Sequence, residues 1–246
     1  MSVVRLRVLG CGDAFGSGGR FQSCYALEAE GMVSLIDCGA SSLIAMRRFG
    51  VDPMSVRAIL LSHLHGDHFA GIPFLLLDAH FGRRKEDLHI AGPPGTRERI
   101  QVTMEALFPG SAAIERRFNT VFTEFDDRRE VIIERLTVTP YRVTHASGAP
   151  PFALRIVANG KVIAYSGDTE WTESLPVAAR GADLFVCEAS SFDTRIKYHL
   201  DFQTLSAHLG EIGCRRLILT HMSEEMLAHL PRPDVDAAED GMSIVL

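Results

Sequence analysis

The chain has 246 residues, 46% of them hydrophobic and 23% charged, which allows a substantial core and excludes a disordered or fibrous polymer. Twenty-five basic residues against thirty-one acidic give a net charge of −6, which argues against a protein that holds long nucleic acid by electrostatics alone. The five cysteines are odd in number, scattered and never spaced C-x-x-C, so neither a disulfide framework nor a zinc ribbon is expected; reduced thiols in a cytoplasm are.

Val4, Leu6 and Val8 alternate with Arg5 and Arg7, which predicts a half-buried strand ending at Gly10. No window reaches eighteen uncharged apolar residues, so neither a signal peptide nor a membrane span is expected. CYALEA and MVSLID predict the next two strands, turning at Glu30 and Gly31. In SSLIAMRRFG a serine start, an apolar stripe and Gly50 as a stop predict a helix. Residues 58–61 read as a short buried strand that runs into LSHLHGDHFAG, residues 61–71, with three histidines and an aspartate within six positions. An apolar helix follows around 72–79. LHIAG then predicts a strand and residues 96–107 a helix. Strand patterns dominate from 121 to 157, and FALRIVANGKVIAYSGD carries Asn159 and Gly160, a strong hairpin signal. The last third alternates DLFVCEA, a helix near 202–212, RLILTH and a short helix after Ser223. Proline clusters only at 150–151 and 231–233, neither a long linker, and no repeat or low-complexity tract appears. The expectation is one α/β domain over residues 1–246, with mixed sheets inside and helices outside.

Three further residues share a position. His145 ends YRVTH, Asp168 sits in YSGDT and His221 ends LILTH. Each is metal-capable and stands just past an apolar strand, where loops present side chains to a common cleft. With His63, His65, Asp67 and His68 they make five histidines and two aspartates. A single hydrolytic zinc takes three protein ligands plus water. Seven ligands therefore suit two divalent ions sharing a carboxylate. Zn²⁺ suits the set best, with Mn²⁺ or Fe²⁺ as alternatives. GPPGT looks like a phosphate loop but lacks the G-K-[ST] that would make it one. Arg83 with Arg84, Arg116 with Arg117, Arg128 with Arg129 and Arg215 with Arg216 read as solvated faces.

HLHGDH and the strand-end residues after it resemble the metallo-β-lactamase superfamily, over most of the chain. The resemblance implies an αββα sandwich: two mixed β-sheets face to face, with helices on both outer faces. It also implies His63, His65 and His145 on a first metal, Asp67, His68 and His221 on a second, and Asp168 between them. Asp67 would in addition orient the attacking water. VLGCGDAFG, LIDCGA, ILLSHLHGDHFAGIPFLL, GPPGT, YSGDT, CEASSF and LILTHMS resemble ribonuclease Z and its phosphodiesterase relatives. In that branch a glutamate and a histidine assist at the phosphate, and the matching positions are Glu188 and His199. YHLDFQTL departs from the compact histidine–serine–threonine motif usual there. Ribonuclease Z inserts a glycine- and basic-rich arm between the positions matching His145 and Asp168. Here ASGAPPFALRIVANGKVIAYSG leaves room for a hairpin only.

The expected function is a binuclear metal-dependent hydrolase, a phosphodiesterase acting on a small, cyclic or nucleotide-like phosphodiester. Long nucleic acid and membranes are not expected partners; a homodimer is compatible with the family. Fold does not dictate substrate, so hydrolysis of a lactone, thioester or carboxyl ester at the same centre stays open, as does tRNA 3′ processing. A non-catalytic metal module fits least, since structural zinc is closed by four ligands.

Overall fold

A computed structural model describes residues 3–232 and 235–246; Pro233, from the second proline cluster, lies outside them. The first half runs β1 (Arg5–Gly10), β2 (Cys24–Ala29), β3 (Met32–Ile36), α1 (Ser42–Arg48), β4 (Val56–Leu60), α2 (Gly66–Phe69), α3 (Ile72–Phe81), β5 (Leu88–Gly92), α4 (Thr96–Leu107) and β6 (Thr120–Glu124). The second half runs β7 (Val131–Ile133), β8 (Leu136–Arg142), β9 (Phe152–Ala158), β10 (Lys161–Tyr165), α5 (Ser174–Ala179), β11 (Leu184–Glu188), α6 (Phe202–Ala207), β12 (Leu217–Thr220), α7 (Glu224–Leu227), β13 (Asp236–Ala237) and β14 (Ser243–Val245).

The strands form two mixed sheets of seven, ordered β14-β1-β2-β3-β4-β5-β6 and β13-β12-β11-β10-β9-β8-β7. Side chains of a strand alternate between faces, and here both faces are apolar. Tyr25 and Leu27 of β2 point between the sheets, against Leu154 and Ile156 of β9 and Ile163 and Tyr165 of β10. Cys24 and Ala26 point the other way, into a cluster built from α1, α3 and α4. Phe185 and Cys187 of β11 do the same on the far side, against α5 and α6. Strands that are buried on both faces need cover on both, and the outcome is the αββα stack that the resemblance implied.

Most elements lie where the sequence predicts them, with Asn159 and Gly160 turning β9 into β10 in left-handed conformations. The helix expected over 202–212 ends at Ala207, and residues Leu209–Glu211 form a separate 3₁₀ turn. Arg84 departs from the reading of solvated arginine pairs. It is 4% exposed and donates to the carbonyls of Met54, Val56, Glu86 and Asp87, pinning the turn before β5. GPPGT behaves as read: Glu124 accepts from the Gly95 amide at the start of α4, so a carboxylate already sits where a phosphate would. All five cysteines are free. Among the described residues no helix is long and apolar enough to cross a membrane.

Candidate metal centre

The parallel runs β3-β4-β5 and β10-β11-β12 bring their C-terminal ends to one edge of the sandwich. His63 follows β4, while Asp67 and His68 stand on α2, a single turn inside the histidine loop. This loop is clamped onto the end of β3. The Cys38 amide donates to the His68 carbonyl at 2.6 Å, and the Gly71 amide to the Cys38 carbonyl at 2.9 Å. Backbones approach so closely that a Cβ on Gly71 would lie 2.2 Å from the Gly39 carbonyl oxygen, so only glycine fits. His145, Asp168 and His221 arrive from the second sheet, just past β8, β10 and β12.

These seven residues form two donor sets. The ligand atoms of His63, His65, His145 and Asp168 lie within 4.8 Å of one another, as do those of Asp67, His68, Asp168 and His221. Asp168 belongs to both. His65 Nδ1 is 3.0 Å from His145 Nε2, and His63 Nε2 is 3.7 Å from Asp168 Oδ2. In the second set, His68 Nε2 lies 3.2 Å from Asp67 Oδ2 and 3.3 Å from Asp168 Oδ1. His221 Nε2 lies 3.3 Å from Asp67 Oδ2 and 3.4 Å from Asp168 Oδ2. Donors 2.0–2.1 Å from a tetrahedral zinc sit about 3.4 Å apart, so the spacing suits a shared cation.

Hydrogen bonding tests the fit. His63 Nε2, His68 Nε2 and Asp168 Oδ1 are buried without an aligned partner, although charged atoms crowd them. Orphaned buried polar atoms are costly, and these three fall one in each donor set and one in both, as a pair of cations would need. Electrostatics agree. Burial pushes the Asp168 carboxyl up, yet His221, His68 and His63 outweigh it and hold it well below the carboxylate range. Burial also disfavours charge on His221, but Asp168 and Asp67 overturn that and raise it to about 9. The cage attracts positive charge.

Outer contacts aim the rings. His68 Nδ1 donates to Asp37 Oδ2 at 2.7 Å, and Asp37 also accepts from the Ser62 amide, the Ser62 hydroxyl and the Tyr165 hydroxyl, each at 2.8 Å. His145 Nδ1 donates to the Tyr198 carbonyl at 2.8 Å. Each bond commits Nδ1 as donor and leaves Nε2 for metal. The sequence reading missed Asp37 and Tyr165, although Asp37 obeys the same rule as the ligands, standing just past an apolar strand.

Glu188 and His199 also come together. Glu188, fully buried at the end of β11, accepts from the Thr169 amide, next to Asp168, and lies 3.2 Å from His199 Nδ1. The His199 ring packs 5.0 Å from that of His145 and 5.6 Å from that of His221, centroid to centroid. Burial raises the Glu188 carboxyl above its ordinary value, opposed by the His199 hydrogen bond. All nine residues singled out in the sequence therefore share one cleft.

Comparison with known proteins gives the family and the fold. A ribonuclease Z of Methanothermobacter thermautotrophicus is 27% identical over 296 residues, covering 98% of this chain and 96% of its own. The crystal structure of human tRNase Z, short form, superposes with a TM-score of 0.80 at 26% identity, covering 98% of both chains. The metallo-β-lactamase fold protein YhfI from Bacillus subtilis gives 0.80 at 21% identity, covering 99% of both, and speaks for the fold alone. The family described as Anti-Pycsar protein Apyc1 matches residues 4–237. A metal-dependent hydrolase with the metallo-β-lactamase fold and ribonuclease Z-like relatives, the chain belongs to the Anti-Pycsar protein Apyc1 family.

Proposed function

We propose that the protein is a binuclear metal-dependent phosphodiesterase acting on a small, nucleotide-like phosphodiester. The observation that carries this reading is the Glu188–His199 pair set against two donor sets that share Asp168. His63, His65, His145 and Asp168 would hold one divalent ion, and Asp67, His68, His221 and Asp168 the other. Zn²⁺ suits the nitrogen-rich set; Mn²⁺ and Fe²⁺ are the alternatives. Ions bound there lower the pKa of water toward 7 and neutralise phosphoryl oxygens. Asp67, with its carboxylate in the second set, orients the attacking water. Glu188 engages His199 through Nδ1, which leaves Nε2 to give a proton to the departing oxygen. A thioester would not need that proton, since a thiolate departs without one.

Substrate size is argued from the chain between His145 and Asp168. It consists of the loop 146–151, β9, the Asn159 and Gly160 turn and β10, a hairpin without a long inserted arm, which supports a small substrate. The ribonuclease Z relatives favour the other reading, tRNA 3′ processing; the family itself is named for an anti-Pycsar protein instead.

The test compares bis-p-nitrophenyl phosphate, a lactone, a thioester, a carboxyl ester and precursor tRNA, on metal-loaded and chelated protein. Metal-dependent turnover of the phosphodiester, with little on the carbonyl compounds or on precursor tRNA, is expected. Efficient site-specific cleavage of precursor tRNA would overturn the size argument, and preference for the lactone or thioester the reaction class.

A further inference from the structure

His199 has a second surface. Away from the metal residues it lines a cavity of about 430 Å³, together with Glu170, Trp171, Arg195, Lys197 and Thr204. This volume lies within the range of small-molecule sites. Nothing in the metal chemistry described above uses it.

Its lining is selective. Trp171 is the only tryptophan in the chain. Its ring stacks on His208, with centroids 4.1 Å apart and planes within 13°, and it packs against the core cluster outside the second sheet. The indole is therefore held before any ligand arrives, which cuts the ordering cost of binding. The lining carries two carboxylates and two cations, but both carboxylates are engaged: Asp201 accepts from the Thr204 amide and hydroxyl. Glu170 already accepts from the Tyr198 amide at 2.7 Å, while the exposed Arg195 and Lys197 stand at the mouth of a chain whose net charge is −6. A cationic rim on an acidic protein draws in an anion. A fixed aromatic plate beside a phosphate-handling histidine suits a flat heterocycle attached to that anion.

We propose that this cavity receives the aromatic base of the substrate, stacked on Trp171, with Arg195 and Lys197 steering the anion inward. The proposal rests on the phosphodiesterase reading and adds the part of the substrate that the enzyme selects. Trp171 is then a specificity residue for nucleoside-bearing phosphodiesters.

The lone tryptophan makes the test direct. Metal-loaded wild-type protein is titrated with adenosine 5′-monophosphate and with ribose 5-phosphate, reading tryptophan fluorescence and heat. Base stacking is worth about tenfold or more in affinity. The nucleotide should therefore quench saturably and bind at least about tenfold more tightly than the sugar phosphate. Trp171→Leu should bring the nucleotide down to the sugar phosphate's affinity, and Trp171→Phe should restore most of the difference. Equal affinities in the wild type, or a Trp171→Leu protein that keeps the nucleotide preference, overturns the proposal. The wild-type comparison decides even where the leucine variant fails to fold. Hydrolysis of bis-p-nitrophenyl phosphate is measured on the same wild-type samples. Turnover without a nucleotide preference removes the base subsite alone, whereas a nucleotide preference without turnover removes the phosphodiesterase reading alone.

Discussion

Asp37 shows how much of the centre depends on residues that touch no metal. It follows β3 with φ +55, a left-handed conformation that aspartate tolerates better than most residues. Four donors converge on its two oxygens, from Ser62, His68 and Tyr165. An asparagine there has one acceptor oxygen in place of two and would turn an amide against some of those donors. Asp37→Asn is therefore expected to weaken metal binding by about 10–100-fold, the usual effect of losing an outer-shell carboxylate. Competition with a chromophoric chelator measures it, with circular dichroism as the check on folding; unchanged affinity would deny Asp37 its role. The seven donors were legible because they gather in one motif or recur in order after successive strands. Asp37 was not: a single carboxylate after a strand has no local signature, and its four donors come from two distant stretches, the histidine loop and the end of β10.

Among the elements, the segment from Phe192 to Asp201 matters most. It has no regular structure, and three of its ties bear on the site. The Tyr198 amide donates to Glu170, the Tyr198 carbonyl receives His145 Nδ1, and the Asp201 carboxylate caps α6 through the Thr204 amide. Tyr198 holds φ +71 between these ties, and His199 follows it. One segment thus aims a donor of the first set and presents the histidine paired with Glu188. His199→Ala should lower kcat by about 10²–10⁴-fold for a dialkyl phosphodiester, whose leaving oxygen needs a proton. The effect should be much smaller for bis-p-nitrophenyl phosphate, and metal content should stay intact. Parallel kinetics and elemental analysis decide, and an equal effect on both esters would exclude proton donation. Sequence reading found the regular elements by their two-sided or one-sided apolar patterns. It read past α2 and α5, because four and six residues are too few to display a helical period. It overran α6 because Leu209 and Ile212 continue the apolar spacing after the helix has stopped.

For the molecule as a whole, the core between the sheets and the donor sets span the same junction. His63, His65, Asp67 and His68 come from the first half of the chain, His145, Asp168 and His221 from the second. Pulling the sheets apart would expose their common core and dismantle both sets, so the two halves should unfold together. A single calorimetric transition is expected, as one domain over residues 1–246 would give. Ligands that bind only the folded state stabilise it by mass action, about 4 kcal/mol per site at a thousandfold excess over Kd. For a chain of this size, chelation should lower the Tm by roughly 10 °C or more. Two separable transitions, or a Tm indifferent to chelator, would contradict this.

The order of synthesis gives the shared donor sets another meaning. The histidine loop leaves the ribosome early, but its set is incomplete until His145 and Asp168 emerge, and the second set waits for His221. The first sheet waits longer still, since β1 gains its outer neighbour only when β14 is made. A nascent chain therefore exposes the histidines of its first half alone until the second sheet is made. Two stages follow: a chain broken before Asp168 lacks both sets, and one broken between Asp168 and His221 keeps the first set and lacks the second.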